Sequence, residues 1–195
     1  MKSPNFPTPK QLLPLNLHGG FSKYNQHSLQ EIFEQNDIKR AVEIGSWLGL
    51  SSSFIASNVK ERLYCVDIWE IQEEQAQHAS WKAIGDTLYD QFLSNMIHLN
   101  LTDKVVPIKL PSQEAVINFN DKVDLVFVDG SHKYENVKHD ILEWSKHLED
   151  NGIICGDDWG VPVSDISEGV VRAVKECSQI LNKKIETNVT FWRLV

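Results

Sequence analysis

Two apolar runs, VDLVFVDG (123–130) and NGIICGD (151–157), each deliver an acid at their far end, and a histidine follows the first acid by three residues. Asp129, His132, Asp157 and Asp158 are the side chains whose types and spacing could do chemistry there. If the runs are neighbouring strands of a parallel sheet, both carboxyl ends point one way. The acids then meet at the edge where open α/β sheets bind ligands. Three carboxylates in one place repel one another unless a cation lies among them, and oxygen-only ligation suits Mg²⁺, or Mn²⁺ or Ca²⁺ in its place. Such a cation would make a bound hydroxyl more acidic. His132 could then take the hydroxyl proton, because imidazole titrates near physiological pH.

A second cluster lies upstream. AVEIGSWLGLSS leads from an apolar run into a helix and sets Glu43, Gly45 and Gly49 at E-x-G-x-x-x-G spacing, with Ser46 and Trp47 between the glycines. Glycines let the backbone approach a ligand closely, and the helix that follows offers unsatisfied N–H groups at its start. A dinucleotide site would need G-x-G-x-x-G, and Trp47 stands where the second glycine should be. Asp67 ends the next apolar run, 24 residues after Glu43, about where a carboxylate takes the ribose hydroxyls in nucleotide-binding sheets.

EIGSWLGLSS and VDIW resemble the cofactor motifs of class I S-adenosylmethionine-dependent methyltransferases of the catechol O-methyltransferase-like branch. The resemblance implies that Glu43 and the backbone near Gly45 hold the methionine end of S-adenosylmethionine, Asp67 its ribose, and Ser112 with Gln113 in LPSQEA the adenine region. Trp47 and Trp69 are assigned to the same pocket. That branch carries a divalent metal on an acid after strand 4 and on an acid followed by Asp or Asn after strand 5, positions that Asp129, Asp157 and Asp158 match. VFVDGSHKYENVKHDI is also similar to small bacterial methyltransferases related to macrolide-sugar O-methyltransferases. Their histidine three residues after the first metal acid is the proposed base and corresponds to His132. The implied activity is metal-assisted methyl transfer to a hydroxyl of a small molecule. A metal-dependent hydrolase or oxidoreductase at the same edge, and a non-catalytic nucleotide-binding or scaffold protein of the same fold, are the alternatives.

The elements that must position these residues are legible as pattern. RAVEIG (40–45), RLYCVD (62–67), KVVPIKL (104–110) and the two runs above are short, Val- and Ile-rich and mostly continuous, like strands buried on both faces. Between them come helical stripes. Val137, Ile141, Trp144 and Leu148 make one; Val170, Val174, Cys177 and Leu181 make another. Repeated strand–helix–strand units imply right-handed crossovers and a doubly wound α/β sheet with helices on both faces. KIETNV and TFWRLV predict a C-terminal antiparallel hairpin. With the resemblance, the expectation is a Rossmann-like seven-stranded sheet of order 3-2-1-4-5-7-6, its last strand antiparallel, in a single domain over 1–195. Residues 1–20, with four of the seven prolines, read as an arm. The 70–100 interval, which carries Trp81, is long enough for a lid insertion.

Bulk composition bounds the partners. The chain has 195 residues, 42% hydrophobic, and a formal net charge of −8, which argues against a nucleic-acid surface. No apolar run approaches the ~18 residues of a membrane helix. Three cysteines, two in apolar runs, read as buried free thiols of a reducing compartment, so the expected location is the cytoplasm. An arm of this kind can reach a neighbouring subunit, which makes a homo-oligomer a further expectation.

Overall fold

Alternation along five short strands divides the interior into two cores. The computed structural model describes residues 6–71, 85–160 and 164–195. Residues 1–5 of the arm and Trp81 with the middle of the 70–100 interval lie outside the described residues. Strands β1 (Arg40–Ile44), β2 (Arg62–Asp67), β3 (Val105–Lys109), β4 (Val123–Val128) and β5 (Leu148–Gly156) run parallel. Because successive strand side chains point to opposite faces, Ala41, Leu63, Cys65, Leu125, Phe127 and Cys155 fall in one core. Val42, Tyr64, Val66, Val126, Val128 and Ile154 fall in the other.

Helices α1 (Lys23–Gln35), α2 (Leu50–Asn58) and α3 (Leu88–His98) close the first face through Leu29, Ile32, Ile55, Leu88, Phe92 and Met96. Helices α4 (Ser112–Asn118), α5 (Tyr134–Trp144) and α6 (Ser164–Ile180) close the second through Val116, Val137, Ile141, Trp144, Val170 and Val174. The hairpin β6 (Ile185–Asn188) and β7 (Phe191–Leu194) completes the sheet, whose order is β3-β2-β1-β4-β5-β7-β6. β7 is antiparallel to both of its neighbours. The fold class is thus as the sequence pattern predicts, and the strand order with its antiparallel last strand is as the resemblance implies.

Two boundaries move. The stripe that places Leu148 on a helix is cut short: α5 ends at Trp144, a 3₁₀ turn spans Ser145–His147, and Leu148 opens β5 opposite Val123. The Ser145 hydroxyl donates to the Leu142 carbonyl, 2.9 Å away, and caps the helix there. β5 accordingly begins three residues before the apolar run, and a register irregularity between Val123 and Leu125 absorbs the polar lead-in. All three cysteines are buried and free. Among the described residues no helix is long and apolar enough to cross a membrane.

Within the 70–100 interval, α3 puts Leu88, Phe92, Leu93 and Met96 in the core. The arm lies along this helix. Backbone amides of Lys10, Leu13 and Asn16 donate to the side chains of Asp90, Ser94 and Asn95 at 3.0, 3.0 and 2.9 Å.

Candidate active site

Four strand ends form one row along the carboxyl edge. Gly45 N donates to the Val66 carbonyl at 2.9 Å, Asp129 N to the Ile44 carbonyl at 2.8 Å, and Asp157 N to the Val128 carbonyl at 3.1 Å. These bonds stitch the ends of β2, β1, β4 and β5 side by side. Asp67, Gly45, Asp129 and Asp157 therefore stand in sequence along the row.

The turn after β1 is shaped by its glycines. Gly45 has φ +91°, and a Cβ on it would lie 2.1 Å from the Asp129 carbonyl oxygen, so only glycine lets this turn abut the end of β4. Gly49, at φ +87°, caps α2 and rests on Met96 and Phe92 of α3. Between them Trp47, at φ +45°, takes a conformation unusual for a bulky residue. Its backbone amide donates to Asp67 Oδ2 at 2.9 Å, while the Trp69 amide donates to Asp67 Oδ1 at 2.6 Å. The Trp69 indole then donates to the Trp47 carbonyl at 2.7 Å. Burial raises the Asp67 pKa, and the amides of Trp47, Trp69, Ile68 and Ser46 counter that shift. Turn and strand end form one hydrogen-bonded unit.

Glu43 lies beneath this unit. It is fully buried, and its Oε2 accepts from the hydroxyls of Ser46, at 2.7 Å, and Ser52. Its Oε1 has no hydrogen-bond partner, and burial pushes its carboxyl up despite the hydroxyls of Ser51, Ser52 and Ser46. The residue thus braces the turn from below. Ser51 and Ser52, which sequence reasoning passed over, belong to the same brace; the SSS run after the second glycine was the available signal. Beyond Asp67, after β3, the Ser112 hydroxyl donates to Asp140 Oδ1 at 2.6 Å and accepts from the Trp144 indole at 2.7 Å. Gln113 is half-buried beside it.

The second half of the edge is a small pocket lined by Asp129, Gly130, Ser131, Val137, Asp157, Asp158, Val170 and Trp192. The structure therefore brings the three predicted acids to one place. Burial, then the neighbouring charges of Asp157, Asp158 and Glu43, hold the Asp129 carboxyl well above its ordinary range. Asp157 is raised too, mainly by burial, with the Asp158 amide, Thr190 and Asn25 countering. Its Oδ1 is buried and makes no hydrogen bond. Asn25 of α1 is a neighbour that sequence reasoning missed. It is fully buried, and nothing in its helical stretch signals a link with residue 157.

His132 sits on the exposed rim with its Nε2 2.9 Å from Asp158 Oδ2. Asp158 has φ +64°, a left-handed conformation that aspartate tolerates better than most residues. The oxygen-only donor set matches the chemistry expected of a divalent cation. The arrangement does not: among the described residues, no group of three or more His, Cys, Asp or Glu side chains is disposed to hold a metal ion. Asp158 reaches to His132 instead.

Known proteins share this architecture. The chain superposes on the O-methyltransferase from Bacillus cereus, solved in complex with SAH, with a TM-score of 0.63 at 18% identity over 93% of this chain and 84% of that one. The O-methyltransferase TomG from Streptomyces achromogenes, involved in tomaymycin synthesis and solved with SAM, gives 0.61 at 15% identity over 90% and 80%. Precorrin 8w decarboxylase from Methanobacterium thermoautotrophicum gives 0.65 at 15% over 90% of each chain. At such identities the likeness is one of fold. A Sinorhizobium fredii protein, itself uncharacterized, is 25% identical over 147 residues, which are 72% of this chain and 14% of that protein. This chain therefore spans only a small part of that relative's length. Residues 42–159, from the strand that carries Glu43 through the carboxylates to Trp159, match the methyltransferase domain family, and the chain belongs to that family.

Proposed function

We propose that the chain is an S-adenosylmethionine-dependent O-methyltransferase acting on a hydroxyl of a small molecule. The observation that carries this reading is the abutment of Gly45 on the Asp129 backbone, where a methyl group's worth of extra volume would collide. It sets a donor turn and an acidic pocket edge to edge, so that a group bound in one faces a group bound in the other. When bound, S-adenosylmethionine would supply an electrophilic methyl on a sulfonium. The cradle suits it: Asp67 retains acceptor capacity on both oxygens for a ribose diol, and the Gly45 turn admits a close main-chain approach.

What the chain's own residues do follows from their positions. The acceptor hydroxyl binds at the pocket of Asp129 and His132. As the oxygen–methyl bond forms and the sulfur–methyl bond breaks, His132 takes the hydroxyl proton, and Asp158 at 2.9 Å stabilises the imidazolium that results. In-line positioning of donor and oxygen supplies much of the rate. No covalent intermediate on the protein is needed. A divalent cation, which the acids suggest by type, is the part of the reading that their placement does not support.

The test is calorimetric binding of S-adenosylhomocysteine, followed by transfer of labelled methyl to a panel of hydroxylated small molecules with EDTA or with Mg²⁺. Binding together with label on oxygen supports the reading. A chain that does not bind S-adenosylhomocysteine refutes it, and one that binds but labels no acceptor in either arm would be a binding module.

A further inference from the structure

The N-terminal arm and the donor turn meet at a single side chain. Asn95 on α3 is fully buried and uses its whole hydrogen-bonding capacity, two donors and two lone pairs. Its Nδ2 donates to the carbonyls of Asn16, at 2.6 Å, and Leu48, at 2.7 Å. Its Oδ1 accepts from the Asn16 amide at 2.9 Å and from Gln91 Nε2 at 3.0 Å. Gln91 Nε2 also donates to the Pro14 carbonyl at 2.8 Å. One amide group thus pairs with the arm as an adjacent strand would, giving and taking a bond at Asn16, and holds the turn through Leu48.

Leu48 lies between Trp47 and Gly49, the residues that shape the donor turn. Farther along, the arm returns to that turn, for a Cβ on Gly19 would lie 3.5 Å from Trp47 Cδ1. The next α3 residue, Met96, and Phe92 one turn back are the groups on which Gly49 rests. Helix α3 is therefore the floor under the turn, and Asn95 adds to that floor a pair of hydrogen bonds with the arm at Asn16. A satisfied buried polar network of this kind fixes one geometry rather than merely adding stability.

We propose that Asn95 is a positioning residue for donor binding, and that the arm is part of the donor site through it. The proposal rests on the reading of the Gly45–Gly49 turn as the S-adenosylmethionine site. Losing the arm's bonds to Asn95 frees the amide to rotate and releases the Leu48 carbonyl, so the turn loosens where the ligand lies.

Three variants of the full chain test this by calorimetry with S-adenosylhomocysteine, melting of the unliganded protein, and hydrogen exchange at the amides of residues 48–53. Asn95→Asp keeps the shape but removes both donors and faces two carbonyls with a carboxylate. Asn16→Pro removes the arm's amide donor to Asn95, and with it the side-chain acceptor of the His18 amide, without touching the core. Lys10→Pro breaks the arm's bond to Asp90 (3.0 Å, exposed), remote from the turn, and serves as control. The expected result is about tenfold weaker binding in Asn16→Pro, more in Asn95→Asp, and no change in Lys10→Pro. Exchange at 48–53 should quicken in Asn16→Pro at a melting temperature equal to that of Lys10→Pro. Equal affinity in Asn16→Pro and Lys10→Pro overturns the proposal, as does a melting loss in Asn16→Pro with wild-type affinity. If Asn95→Asp does not fold, the two proline variants decide alone. A wild-type chain that fails to bind overturns the functional reading itself, a result distinct from a wild-type chain that binds as well as its variants.

Discussion

The donor turn and the acidic pocket are built in opposite ways. In the turn, left-handed residues are held by bonds of 2.6 to 2.9 Å from Trp47 and Trp69, and the charge of Asp67 is met by backbone amides. In the pocket, Asp129 is raised by burial and then by the charges around it, and Asp157 Oδ1 lies buried without a hydrogen bond. The first region is geometrically determined, with amides on both Asp67 oxygens, and its one unpaired carboxylate oxygen, Glu43 Oε1, lies beneath the turn. Its partner is electrically crowded, with the His132 imidazole at the rim 2.9 Å from Asp158. Recognition of a constant cofactor suits a rigid cradle, whereas proton transfer suits groups whose charge changes.

The comparison breaks first at Gly45. Gly45→Ala would place a methyl 2.1 Å from the Asp129 carbonyl in a conformation that L-residues avoid. Neither neighbour can yield, because both are strand-end backbone. The variant should lose ~4 kcal/mol or more of stability, read by denaturant unfolding, and should bind no S-adenosylhomocysteine. A stable, binding Gly45→Ala protein would mean that the turn is not rigid as described. On the pocket side, His132→Ala should leave stability and S-adenosylhomocysteine affinity within about twofold while slowing methyl transfer ~10²–10⁴-fold. A loss confined to affinity would transfer His132 to the donor side.

The two regions were also unequally legible in the sequence. The parallel strands, both glycines and the carboxylates at the ends of β4 and β5 follow from apolar runs, crossovers and a turn motif, and the strand order from the family that the motifs resemble. Those signals are local or topological. What escaped notice depends on side-chain contacts between distant segments: Asn25 against Asp157, Asn95 between Asn16 and Leu48, Ser52 beneath Glu43. Glu43 itself illustrates the limit, since its position in the motif was plain but its burial under the turn was not. Leu148 illustrates another, because an apolar residue at helical spacing also fits a strand that begins just after the helix stops. The placement of Asp158 toward His132 was hidden for the same reason: the sequence says that three acids converge, and not how each is aimed.

A subtler probe of the donor side is Asp140, which supports Ser112 from behind. Burial raises its pKa from 3.8 to about 6, with Ser112 and His139 offsetting part of the effect. The sign follows from proton counting. Between pH 3.8 and about 6 the folded state holds this proton more tightly than the unfolded state, so stability falls as pH rises through the window. The full effect converts to ~3 kcal/mol at most. Asp140→Asn keeps the acceptor for Ser112 and abolishes the titration, so the stability profile measured by urea unfolding should flatten across that window. An unchanged slope would assign it to another group.

The smallest expected effect separates shape from charge at Asp67. Asp67→Asn preserves volume but offers one acceptor oxygen where two amides, from Trp47 and Trp69, now donate to two. One amide must therefore face an NH₂ group, which opens the turn on one side and removes half of the diol-binding capacity. Affinity for S-adenosylhomocysteine should fall about tenfold, or ~1.4 kcal/mol, with acceptor KM unchanged, since the charges that act on Asp129 are those of Asp157, Asp158 and Glu43 and do not include Asp67. If acceptor KM rose in step with the donor's dissociation constant, the two regions would not be independent. The Gly45–Asp129 contact would then be the place to seek the coupling, because it is where the donor turn touches the backbone of the acidic pocket.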